Sequence, residues 1–136
     1  MPLLVDSSVW MFALGTPPIT AIVKYLLERA EEGSLVTTGM VRLEVALGAE
    51  SWSHLLELQE RFSRFRAYEP TSDTWDEAAR LHMRMRKKGF DLKAPDLLIA
   101  AVALENGLTV LHADRDFEHL AKHEGLKTKS LLHLVG

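Results

Sequence analysis

From Leu97 to Leu104 the chain reads Leu-Leu-Ile-Ala-Ala-Val-Ala-Leu, apolar on every side of a helical wheel. Pro95 stands just ahead of it, as a first-turn proline does, and Asn106-Gly107 closes it. A helix with no polar face must be covered all round, so this segment predicts a central, buried helix. The run is far too short to cross a bilayer, which needs about 20 residues.

Leu3-Leu4-Val5 is a second wholly apolar run, ended by Asp6, and suits a strand buried on both faces. Ser8 to Leu14 can form a short helix, broken at Gly15 and Pro17-Pro18. Ile19, Ile22, Val23, Leu26, Leu27 and Ala30 follow at helical spacing, with Lys24, Glu28 and Glu31 elsewhere on the wheel and Gly33 as the stop. Further strands are expected over 34–37, around Ala67-Tyr68-Glu69, over 108–111 and over 127–131. Helices are expected over 40–49, 51 to about 65 (with Trp52, Leu55, Leu56, Phe62 and Phe65 on or near one face), 71–88 and 116–123. Strands separated by helices argue for a parallel sheet, because parallel neighbours need a long crossover. The expected fold class is α/β, a three-layer sandwich with a mostly parallel central sheet flanked by helices, in one domain over residues 1–136. In such sheets ligands bind beyond the carboxyl ends of the strands, where the strand order reverses.

Composition narrows the chemistry. There is no cysteine, which excludes disulfides, thiolate metal sites and cysteine nucleophiles. Hydrophobic residues make up 47% of the chain, enough for a core without covalent staples. The start, Met-Pro-Leu-Leu-Val-Asp, lacks a basic leader followed by a long apolar stretch, so the expected setting is the cytoplasm, with no membrane association. The net charge of −3 differs from the strongly basic profile of a nucleic-acid coat. It leaves room for an RNA substrate if positive charge is local or a metal bridges the gap.

Several acids fall where chemistry is expected. Asp6 follows the first strand, Asp114 and Asp116 follow the strand at 108–111, and Asp96 opens the apolar helix. Glu44 lies among Val41, Val45 and Leu47, near the apolar side of its helix. Singly, Asp96, Asp114 and Asp116 read as helix-start acids and Asp6 as a turn residue. Glu44 is harder to explain, since a carboxylate on an apolar face is costly unless paired or bound to a cation. Together they would repel one another unless something positive stood among them, and no lysine or arginine is evidently placed to do so. Oxygen-only ligands favour Mg²⁺ or Mn²⁺ over zinc. Such an ion also bridges an acidic site to a phosphate, so hydrolysis of a phosphodiester is the natural chemistry.

Four segments carry a family resemblance. They are Leu4-Val5-Asp6-Ser7-Ser8-Val9-Trp10, Val41-Arg42-Leu43-Glu44-Val45, Ala94-Pro95-Asp96-Leu97-Leu98-Ile99-Ala100-Ala101 and Val110-Leu111-His112-Ala113-Asp114-Arg115-Asp116-Phe117. Each alone is common; the four in this order are specific. Through them the chain resembles PIN-domain nucleases, most closely the VapC-type toxins of toxin–antitoxin pairs. The resemblance implies a metal-dependent endoribonuclease with an acidic quartet of Asp6, Glu44, Asp96 and Asp114. It implies Asp116 as an auxiliary acid near a second ion and Ser7 or Ser8 as hydrogen-bonding residues near the metal. It further implies a homodimer, a VapB-like antitoxin that blocks the site, and cleavage of structured RNA such as tRNA. His112 departs from relatives that often carry Ser, Thr or Asn, and a structural hydrogen bond is its favoured role.

Arg80, Arg84, Arg86, Lys87, Lys88 and Lys93 lead toward Asp96; they could hold an RNA backbone or form a solvated helix end. Arg61, Arg64 and Arg66 form a weaker patch that could contact an antitoxin or face water. Trp10, Trp52 and Trp75 read as core or interface residues. His119 and His123, four apart, fit an exposed helix face better than a metal site. A phosphotransfer domain using Asp6 as nucleophile is disfavoured, because no second acid follows two residues on. The remaining alternative is a catalytically inactive PIN-fold module that binds RNA or protein. The clustered acids argue against it, since a scaffold gains nothing from their repulsion.

Overall fold

The computed structural model describes residues 1–136. Its elements are β1 (Leu3–Val5), α1 (Ser7–Leu14), α2 (Thr20–Glu31), β2 (Leu35–Thr37), α3 (Gly39–Ala46), α4 (Trp52–Phe62), β3 (Arg66–Ala67), α5 (Ser72–Lys87), α6 (Ala94–Asn106), β4 (Thr109–His112), α7 (Arg115–Glu124) and β5 (Thr128–Ser130). A short 3-10 turn at Leu132–Leu134, absent from the sequence reading, follows.

The five strands form one sheet in the order β3-β2-β1-β4-β5, every pair parallel, so the sheet is wholly rather than mostly parallel. Leu4 of β1 is in register with Val36 on one side and Val110 on the other. The chain builds outward from β1 through β2 to β3, then returns through α5 and α6 to lay β4 against the other side of β1. The order therefore reverses between β1 and β4, and their carboxyl ends border the crevice where α/β sheets bind ligands. The edges are blunted: β3 is two exposed residues, and β5 carries exposed Lys129.

Helix α6 behaves as its composition requires, with every residue from Asp96 to Ala103 buried. It ends where Gly107 takes φ of 64°, a left-handed conformation that glycine adopts without a Cβ penalty. Around it lies one apolar cluster that includes Leu4, Val5, Ile22, Leu81, Met85, Leu111 and Phe117. Trp10 meets Phe62 edge to face at 4.9 Å, with Phe65 alongside.

Two amphipathic stripes reach less far into the core than their spacing suggests. In α2, Ile22 and Leu26 are buried, whereas Leu27 is 61% exposed. In α4, Leu58 and Phe62 are buried while Trp52 and Leu56 face outward. Trp75 is exposed as well, so Trp10 alone of the three tryptophans packs in the core. No helix is long and apolar enough to cross a membrane.

Candidate active site at the β1–β4 crevice

Asp6 is the first residue beyond β1 and caps α1, its Oδ2 accepting the Ser8 N–H at 3.0 Å. The Ser8 hydroxyl donates to the same oxygen at 2.6 Å and accepts the Ala113 N–H at 3.0 Å. Ser8 thus ties the carboxyl end of β1 to that of β4. Ser7 donates from its hydroxyl to Oε1 of Glu44 at 3.0 Å, drawing α3 toward the same crevice. The family resemblance implies Ser7 or Ser8 near the site but does not distinguish these two tasks, because the bridge to Ala113 spans 105 residues.

On the β4 side, two consecutive turns lead into α7. The Asp114 N–H donates to Nδ1 of His112 at 3.2 Å, and the Asp116 N–H donates to Oδ1 of Asp114 at 3.0 Å, which makes Asp114 the cap of α7. Asp96 stands in the first turn of α6, behind Pro95. Carboxylate oxygens of Asp96, Asp114 and Asp116 all lie within 4.8 Å of one another. Asp116, expected as an auxiliary acid, therefore belongs to the tightest group. Asp6 and Glu44 border that group and act on it electrostatically.

The site is strongly negative. Burial pushes the Asp96 carboxyl up, and the charges of Asp6, Asp114, Asp116 and Glu44 add to it, so that it titrates at about 7. Burial also raises Asp6, with a further push from Glu44, against the hydrogen bonds from Ser8 that stabilise its charge. None of the chain's ion pairs involves any of the five acids. Oδ1 of Asp6 is fully buried and accepts no hydrogen bond from the protein. An orphaned carboxylate oxygen beside three convergent acids, with no cationic side chain to neutralise them, suits a hard divalent cation. The donors are all oxygen, which disfavours zinc.

The basic stretch toward Asp96 is largely committed elsewhere. Arg80 and Arg84 pair with Glu77, and Arg84 and Lys88 pair with Glu124. Arg86, Lys87 and Lys93 make no ion pair, and Lys93 precedes the first turn of α6. His119 stacks on Phe90 at 4.3 Å between ring centroids and His123 lies tilted against it at 5.3 Å, a packing role in place of a bare helix face. Glu69, which the sequence did not single out, accepts the Gly39 N–H at 2.6 Å and pairs with Arg42, anchoring the start of the helix that carries Glu44.

Comparison with known proteins agrees with this architecture. The family model described as PIN domain matches residues 3–123. The chain is 38% identical over 117 positions to ribonuclease VapC2 of Mycobacterium tuberculosis, covering 77% of each protein. It is 35% identical over 125 positions to ribonuclease VapC51 of the same species, covering 90% of this chain and 87% of that one. A solved structure of VapBC2 from Rickettsia felis, bound to a DNA fragment from the promoter, superposes with a TM-score of 0.78. That alignment covers 96% of this chain and 98% of that one at 17% identity, a likeness of fold. With the family model spanning nearly the whole length, and two relatives above one-third identity, the chain belongs to the PIN-domain family, on its VapC branch.

Proposed function

We propose that this chain is a metal-dependent endoribonuclease, the toxin of a VapBC-type pair, using Mg²⁺ or Mn²⁺ to hydrolyse phosphodiester bonds of structured RNA such as tRNA. The observation that carries the reading is the meeting of Asp96, Asp114 and Asp116 at the strand-order reversal, bordered by Asp6 and Glu44, with no cationic side chain among them. The names of the VapC ribonuclease relatives point to RNA as substrate. The VapBC complex among the structural neighbours points to a VapB-like antitoxin as partner. A homodimer in the cytoplasm and a single domain belong to the same reading.

Asp6, Asp96, Asp114, Asp116 and Glu44 would hold the ion. A bound divalent cation supplies Lewis acidity, making water a better nucleophile and offsetting the charge of the phosphodiester. The chain's own residues prepare the place. Ser8 fixes Asp6 against the end of β4, and Ser7 fixes Glu44. Asp96 titrates at about 7 and so holds a proton near neutrality that cation binding must displace. Arg86, Lys87 and Lys93 remain available for the RNA backbone.

The test is RNA incubated with the protein and Mg²⁺ or Mn²⁺, with EDTA, and with Asp96→Asn. Metal-dependent cleavage that the substitution abolishes is the expected result. RNA binding without cleavage under every metal condition would leave the inactive module as the correct reading.

A further inference from the structure

His112 ends β4 and is fully buried, yet it is a polar side chain in an apolar setting. Its ring lies against Phe117, 5.3 Å between centroids. Nδ1 accepts the Asp114 N–H, which puts the ring proton on Nε2. Nε2 is buried and has no hydrogen-bond partner in the protein. An apolar side chain would fill this place without a stranded Nε2–H, so packing of the ring alone gives no reason for histidine here. The one polar contact the ring makes is to the backbone of Asp114.

That contact begins a relay. His112 holds the peptide N–H of Asp114, and Asp114 in turn uses Oδ1 to hold the N–H of Asp116. The first bond sets the direction in which the chain leaves β4. The second commits one oxygen of Asp114 to the helix start and leaves Oδ2 without a protein donor. Both acids whose oxygens approach Asp96 are thus oriented through a bond that starts at His112.

We propose that His112 is a positioning residue for the cation site, acting through the acceptor that it places two residues ahead of Asp114. This rests on the reading of the acids as cation ligands. What the position needs is an acceptor at Nδ1; the ring itself is dispensable. Partners that orient metal ligands commonly change metal affinity 10–100-fold when removed.

Three variants of the full-length protein test it by calorimetric titration with Mn²⁺, alongside thermal melts without metal. His112→Asn keeps an acceptor at nearly the same place, His112→Leu has the shape of asparagine without it, and His112→Phe keeps the ring without it. The expected result is affinity within about threefold of wild type for the asparagine variant and a loss of at least about tenfold for the other two. The phenylalanine variant loses the stranded Nε2–H but leaves the Asp114 N–H without its acceptor, so the two effects offset and it is expected to melt close to wild type. Loss of affinity without loss of fold separates positioning from bulk stability. If His112→Leu or His112→Phe binds Mn²⁺ as wild type does, or if His112→Asn loses affinity equally, the proposal is overturned. Should the phenylalanine variant not fold, the asparagine–leucine pair decides alone. Asp96→Asn is run beside them: if it too leaves Mn²⁺ binding unchanged, the cation-site reading itself has failed, not merely the role of His112.

Discussion

Asp96→Asn should make the metal-free protein more stable, although it destroys the proposed site. The substitution nearly preserves shape and removes one charge from the cluster. In the folded chain Asp96 titrates at about 7 instead of the ordinary 3.8. At about 1.4 kcal/mol per tenfold, keeping it ionised in the folded state is penalised by at most about 4 kcal/mol. Asp114 and Asp116 are half exposed, so water reaches the mouth of the crevice. Screening and relaxation there reduce the expected gain to about 2 kcal/mol. The sign follows from proton binding. Between pH 4 and 7 the folded chain keeps a proton on Asp96 that the unfolded chain has released, so wild-type stability falls as pH rises through that window. The asparagine variant lacks this decline. Its advantage should be near zero at pH 4, about a third of full size at pH 5, and constant above about pH 7. For a chain of this length about 2 kcal/mol corresponds to roughly 5–8 °C in Tm. Thermal melts by circular dichroism in EDTA at pH 5 and pH 7.5 measure it. Adding Mn²⁺ at about a hundred times Kd should raise wild type alone by about 2.7 kcal/mol and erase the variant's lead. A variant that melts at or below wild type at pH 7.5 without metal, or whose gain is the same at pH 5, would refute the claim that burial and repulsion together penalise the ionised Asp96 at this site.

Three other outcomes are expected. Mn²⁺ affinity should weaken as pH falls below about 7, by up to about tenfold per pH unit, because a cation must displace the Asp96 proton; calorimetry in buffers of different ionisation enthalpy should find about half a proton released per ion at about pH 7, rising toward about one at about pH 6, and a flat profile from pH 6 to 8 would contradict it. Ser8→Ala breaks both the contact to Asp6 and the tie to Ala113, so Mn²⁺ affinity should drop about tenfold and stability by about 1–2 kcal/mol, read by titration and by urea unfolding. Glu69→Ala removes the anchor of α3: burial pushes Glu69 up, but Arg42 and the Gly39 N–H outweigh it and hold the carboxyl below the usual range, so its contribution of about 1 kcal/mol should be present at pH 7 and fade as the pH drops below about 4, which urea midpoints at pH 7 and 3.5 would reveal.

Fold class was legible because burial on all sides marks every residue of an element. Leu3-Leu4-Val5 and the run after Asp96 carry no polar face, and both lie at the centre of the molecule. The stripes of α2 and α4 are less legible, since periodicity assigns a face but not how much of it the core covers; Leu27, Leu56 and Trp52 remain in solvent. The contacts of Glu69 were illegible for another reason. Its partners Thr38, Gly39 and Arg42 lie 27 to 31 residues away in sequence, and nothing local distinguishes it from any exposed glutamate. The bridge from Ser8 to Ala113 is longer still.

The candidate site raises a deeper ambiguity, because its acids are also folding devices. Asp6 caps α1, Asp114 caps α7, and Asp96 occupies the first turn of α6. Read one at a time, each is explained by its helix, and nothing is left over to suggest chemistry. The surplus appears only when the sheet brings the three helix starts to one crevice. Each helix N-terminus carries about half a positive charge, which favours one nearby carboxylate by roughly 0.3–1 kcal/mol. That is too little against the burial, and the repulsion from four neighbouring acids added to it, that raise Asp96 from 3.8 to about 7. The helix starts therefore justify the acids singly and fail to justify them together, and a partner of higher charge is required to close the difference. The same double use predicts a mutational signature. Asp6→Asn and Asp114→Asn keep a capping side chain and relieve repulsion, so both should fold at least as well as wild type in EDTA while losing Mn²⁺. Asp6→Ala and Asp114→Ala should lose Mn²⁺ equally, but melt below their asparagine counterparts by the worth of a cap, about 1 kcal/mol. Melting curves in which asparagine and alanine coincide would show that the caps contribute nothing, and that the acids are held at the crevice by other forces.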